Sequence, residues 1–133
     1  MQSWHNDIII DRLEQIRESI ALINKWCAPY QNEDEFLCSP TGMAMLDASI
    51  LRLQIIGESI RAVDDMTKGE LFTHYPSIPW HNIIGLRNII SHDYANVNYS
   101  MIVKIIKNNL QDLDNMVSDI ISDLNNNINN DRR

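Results

Sequence analysis

Ile9, Leu13, Ile16, Ile20, Ile23 and Cys27 recur in alternating steps of four and three. That spacing keeps one side of an α-helix apolar along its whole length, and a strand, whose side chains alternate, cannot use it. Asp11, Arg12, Glu14, Gln15, Arg17 and Glu18 fill the opposite side. The segment 4–27 therefore reads as a helix with one buried and one solvated face, ended by Pro29. Gln31 to Glu35 reads as a polar loop, with Phe36-Leu37 tucking back against the bundle.

The same periodicity returns along the chain. Ser39-Pro40-Thr41 is a helix start, a capping hydroxyl followed by a proline suited to the first turn, and the helix runs to about Met66. Asp64 to Tyr75 is a connection, with a helical turn expected within Lys68–His74. Pro76 and Pro79 bracket an extended link into a third helix, from Trp80 to about His92. Ile83, Leu86, Ile89 and Ile90 form its expected buried face. After a turn over 93–98, Ile102, Ile105, Ile106, Leu110, Leu113, Val117, Ile120 and Leu124 mark one last long helix. Such a chain predicts an all-α antiparallel up-and-down bundle of about four to five helices. Residues 1–124 are expected to form a single domain, and the Asn-rich stretch 125–133 a frayed or disordered tail.

The helix over 40–66 carries two apolar stripes. Met43, Leu46, Ile50, Leu53, Gly57 and Ile60 make one; Ala44, Ala48, Leu51, Ile55 and Ala62, roughly opposite, make the other. A helix apolar on two sides is buried on two sides. It is either the central helix of a monomeric bundle, or it turns one face to the core and the other to a second subunit. Glu58 lies between the stripes, placed either to orient a basic group across the bundle or to pair with Arg61.

Composition narrows the function classes. No run approaches the roughly 20 apolar residues of a membrane span, and Met1 to His5 lacks the pattern of a signal peptide, so a cytoplasmic protein without membrane contact is expected. Cys27 and Cys38 read as free thiols, and no Cys/His spacing suggests zinc. No cofactor or metal is expected. The net charge of −7 leans against a general nucleic-acid binder and towards docking on a basic partner. Any RNA contact must be local.

One stretch supplies such a locality: Arg87-Asn88-Ile89-Ile90-Ser91-His92-Asp93-Tyr94. Arg offers a permanently charged fork suited to phosphate, His moves a proton near neutral pH, and Tyr brings a hydroxyl. On a helix Asn88 and His92 share a face, whereas Arg87 and His92 diverge by about 140°. Either the helix frays by His92, or the Arg arm bends, or a second copy of the chain completes the site. By spacing alone the same residues describe an ordinary helix C-terminus, with His complementing the dipole and a turn following. His5, His74 and His81 lack comparable company and read as surface or lightly packed residues.

The surroundings add to the triplet. Tyr75-Pro76-Ser77-Ile78-Pro79-Trp80 leads into Ile83-Ile84-Gly85-Leu86-Arg87-Asn88, then His92-Asp93-Tyr94, and Ile55-Ile56-Gly57-Glu58-Ser59 lies upstream. From about residue 5 to 125 the chain resembles the HepT-like branch of the HEPN ribonucleases, the toxins of HepT/MntA toxin–antitoxin pairs. Their signature of Arg, four residues, His, one residue, Tyr is matched by Arg87, His92 and Tyr94.

The resemblance implies a HEPN-like bundle and a homodimer in which two copies of the motif meet in a cleft. It implies metal-independent endoribonuclease activity with Arg87 and His92 as catalytic residues. Asn88 and Glu58 stand as supporting residues. It also implies a partner, an MntA-like nucleotidyltransferase antitoxin that uses ATP to place AMP on Tyr94 and so silences the toxin. Two other classes stay open: a non-catalytic module that binds a nucleotide or docks onto the transferase, and a plain dimerisation bundle.

Overall fold

The computed structural model describes the backbone of residues 5–92 and 97–131, and their side chains except those of residues 87–92 and 128–131. Six α-helices and one short 3-10 helix follow one another among the described residues: α1 (Asn6–Cys27), α2 (Glu33–Leu37), α3 (Pro40–Met66), the 3-10 turn Leu71–His74, α4 (Trp80–His92), α5 (Tyr99–Asn108) and α6 (Leu110–Asp131). The all-α bundle expected from periodicity is the observed architecture.

α1 buries the whole predicted stripe, Ile9 through Cys27, against α3 and α6. A fully buried Ile or Leu contributes about 1.5–3 kcal/mol relative to exposure, so this stripe is a principal source of the fold's stability. Cross-links fix the helix directions. The Lys107 ammonium donates to the Cys27 carbonyl at 3.0 Å, satisfying an end of α1 that lacks helical partners. Arg17 pairs with Asp114, in the second turn of α6, at 3.0 Å, so α6 runs back along α1. α3 packs against both α1 and α4.

Residues 31–35 depart from the expected polar loop. Asn32 accepts from the Glu35 N–H at 3.0 Å, and the Glu35 carboxylate accepts from the Gln31 N–H at 2.7 Å. This reciprocal capping nucleates α2 in a stretch that carries too few apolar residues to show a helical period. α2 places Phe36 wholly in the core, tilted against Tyr30 with ring centroids 4.8 Å apart. Its backbone lies so close to α3 that a Cβ at Gly42 would overlap the Phe36 carbonyl. Ser39 caps α3 as expected, accepting from the Gly42 N–H at 3.0 Å.

The expected single last helix is two. The chain is interrupted at Asn109, and α5 packs against α2 while α6 follows α1. One straight helix cannot keep its apolar side on both. The helical period is preserved across the break, which is why the pattern reads as continuous.

α3 realises its two stripes unequally. Leu46, Leu53, Gly57 and Ile60 are buried, joined by Ser49, Ile56, Ser59 and Val63, which the stripe did not include. On the second stripe Ala48, Ile55 and Ala62 are half-buried, Ala44 is exposed, and Leu51 remains 57 % exposed. Met43, placed on the first stripe, is 42 % exposed.

Both cysteines are free thiols. Cys27 lies 3.2 Å from the Ser49 oxygen, whose own proton goes to the Met45 carbonyl at 2.7 Å; the thiol is therefore the donor. Burial, the largest effect, pushes the Cys27 thiol above its ordinary value and holds it inert.

Candidate nucleic-acid interface on α4

α4 starts from a tightly tied base. Thr67 ends α3, and Lys68 (φ 54°) and Gly69 (φ 75°) turn the chain through the left-handed region, with the Gly69 N–H returning to the Asp64 carbonyl at 2.8 Å. The 3-10 turn follows, and Phe72 stacks on Trp80 at 4.1 Å between centroids. The Trp80 indole N–H donates to the Tyr75 carbonyl at 2.8 Å. The Tyr75 hydroxyl in turn donates to Asp123 on α6 at 2.6 Å. Desolvation first, then the Asp123 carboxylate, hold the Tyr75 phenol well above its ordinary pKa. It therefore stays protonated and donating across the whole physiological range. The Pro-bracketed segment is a clamp that sets where α4 begins and how it is rotated.

The helix that leaves this clamp carries the motif. Leu86 is buried, and Ile83 and Ile84 are half-buried against the core, as the apolar face requires. Ile89 and Ile90, the rest of that face, fall among the side chains outside the described set, as do Arg87, Asn88, Ser91 and His92. Tyr94 lies outside the described residues altogether. The backbone nonetheless answers one question: α4 stays helical through His92. Fraying before His92 is thus removed from the three ways of uniting it with Arg87, leaving the reach of the Arg arm or a second copy. Asn88 and His92, one turn apart, occupy one face.

α3 lies alongside α4 and carries Glu58, exposed on its surface. The Arg61 guanidinium lies 4.0 Å from Asp65, one turn on. Among the described residues no group of three or more His, Cys, Asp or Glu side chains is placed to hold a metal ion. Among them, too, no helix is long and apolar enough to cross a membrane. His5, His74 and His81 are exposed.

The residues that the sequence reading missed are the clamp's: Phe72, Tyr75 and Asp123. The signal for the first two was present, aromatic residues just ahead of a Pro-x-x-Pro-Trp link. Asp123 carried none, because its partner is 48 residues away.

The architecture so far defines a class: an α-helical bundle with an Arg/His-bearing helix anchored at its base. The family model described as Ribonuclease HepT-like matches residues 16–120, and the chain belongs to that family. Relatives agree. A Thermococcus cleftensis protein named "Probable ribonuclease HepT" is 32 % identical over 104 residues, covering 77 % of this chain and 86 % of its own. A Methanocaldococcus jannaschii protein named "Putative RNase" is 37 % identical over 60 residues, covering 45 % of this chain and 51 % of its own. A second protein of that organism, named as both a gamma-glutamylcyclotransferase and a putative RNase, is 31 % identical over 118 residues, covering 89 % and 50 %. The chain thus spans about half the length of these last two. No solved structure matches it significantly.

Proposed function

We propose that this protein is a metal-independent endoribonuclease, the toxin of a toxin–antitoxin pair. The observation that carries the reading is the Arg87–His92 pair on a helix continuous through His92, in a chain of the Ribonuclease HepT-like family. RNA brings its own nucleophile. A histidine acting as base takes the proton of the 2′-hydroxyl, the O2′–P bond forms, and the P–O5′ bond breaks. An acid returns a proton to the departing 5′-oxygen. Arg87 stabilises the crowded, negatively charged phosphorane between these events. The products are a 2′,3′-cyclic phosphate and a 5′-hydroxyl. Asn88 orients the phosphate or His92, and Glu58 supports the pair from α3. The test is product analysis in excess chelator: cyclic-phosphate ends should form undiminished. Activity that vanishes in chelator and returns with magnesium sinks the metal-free mechanism.

Two histidines, one per subunit, would supply base and acid together, and the exposed stripe on α3 supports such a dimer. Leu51 at 57 % exposure, with Ala44, Ala48 and Ile55 on the same side, is apolar surface that a second copy would cover. Leu51→Glu or Ile55→Glu puts a charge in that seam and should shift the protein to a monomer in light scattering. A monomeric mass for the unaltered chain at micromolar concentration removes the dimer.

The antitoxin in this reading is a nucleotidyltransferase that transfers AMP from ATP to Tyr94. A second reading, a non-catalytic module that docks onto that transferase or holds a nucleotide, draws on the net charge of −7. RNA cleavage lost on replacing His92 separates the two.

A further inference from the structure

Among the described residues two clefts border α4, and the first lies on the side of Asn88 and His92. The first, of about 390 Å³, is lined among others by Asp64, Phe72, Thr73, Trp80, His81 and Ile84. The second, of about 380 Å³, is lined on α4 by Asn82, Ile83 and Leu86 and faces α5 and α6. At about 100° per residue, the positions of His81, Asn88 and His92 fall within about 40° of one another. Ile84 lies about 40° from Asn88, between it and Arg87, which is about 60° further round. Ile83 and Leu86 lie about 140–160° round the helix from His81. The first cleft is therefore the continuation, towards the base of α4, of the face that bears Asn88 and His92, while Arg87 lies at the edge of that face, about 40° from Ile83. About 9 Å of helical rise separates His81 from Arg87.

We infer that this cleft is a subsite for a base of the RNA substrate, one or two nucleotides from the scissile phosphate; the inference rests on the ribonuclease reading. Its size is that of a small-molecule pocket, sufficient for one base and too small for a folded protein segment. Ile78, Pro79, Ile84 and the mutually stacked Phe72 and Trp80 make an apolar lining suited to a base. The rim is polar: Thr73, His81 and Asn82 are exposed and Asp64 is half-buried. These groups offer donors and acceptors to a base edge. The Asp64 carboxylate repels a phosphate and accepts from an exocyclic amino group, which favours adenine, cytosine or guanine over uracil. The lining is rigid because the Trp80–Tyr75–Asp123 ties hold it, so the subsite is formed before RNA arrives.

The test is binding of a short RNA with 2′-O-methyl groups on every sugar, which removes the nucleophile. An abasic residue is walked through it and affinity is read by fluorescence anisotropy. One position should lose about tenfold in affinity on base removal, and uracil there should bind more weakly than the three amino-bearing bases. In His81→Ala that penalty should shrink while the penalties at other positions persist. In Asp64→Asn the discrimination against uracil should disappear. No sensitive position, an undiminished penalty in both variants, or no binding of the RNA overturns the subsite. Cleavage of the matching unmodified RNA is measured alongside. Base-dependent binding without cleavage keeps the subsite and rejects the ribonuclease reading; cleavage without base dependence rejects the subsite alone.

Discussion

His92→Ala is expected to lower RNA cleavage by about 10²–10⁴-fold, the range for losing a positioned acid or base. Arg87→Ala is expected to lose about 10²–10³-fold, as the phosphorane loses its charge partner. Arg87→Lys should recover part of that loss only, since an ammonium keeps the charge but not the planar fork. The three variants should keep the helix content of the parent protein, because the stability of the bundle resides in stripes such as Ile9–Cys27 on α1 and not in these polar positions. Circular dichroism and light scattering check this. Cleavage by His92→Ala within about threefold of the parent rate would remove His92 from the chemistry, for a general acid–base group accounts for far more.

Incubation with a partner nucleotidyltransferase and ATP is expected to add AMP to Tyr94 and silence cleavage to the level of His92→Ala. The sequence argues for it: Tyr94 follows His92 by two residues. On the proposed reading, a nucleotide attached there would add a bulky anion close in sequence to Arg87 and His92, opposing the binding of RNA phosphate. Tyr94→Phe keeps the ring and removes the acceptor oxygen. It should fold, dimerise and escape silencing. Intact mass of both proteins after incubation is the measurement. Equal AMP addition to Tyr94→Phe moves the target elsewhere, and addition to neither leaves inhibition to docking alone.

These predictions draw on two kinds of legibility. The helices were readable because apolar periodicity is a local property. The Ile9–Cys27 stripe, the Ser39-Pro40 start and the Pro79-Trp80 entry each announce themselves within a few residues, and α1, α3 and α4 follow them. α2 escaped because its helical signal is a pair of capping bonds and not a stripe. The break at Asn109 escaped because the period continues through it. The candidate site was readable as residue types at a spacing, Arg87, Asn88 and His92. The cleft beside it was not, since Asp64, Thr73 and His81 come from three separate elements and none carries a pattern of its own.

By itself the sequence determined an all-α chain, the approximate extents of α1, α3 and α4, the stripe that α1 buries in the core and the motif on α4. Each follows from the period of a helix and from the chemistry of neighbouring side chains. Only the tertiary structure decided which residues meet across the bundle. Arg17 with Asp114 and Tyr75 with Asp123 are 97 and 48 residues apart. Such pairs depend on the rotation of one helix against another, which a local pattern does not encode. The same rotation decides that the Asn88–His92 face of α4 runs on into the cleft at His81 while Leu86 turns to the core.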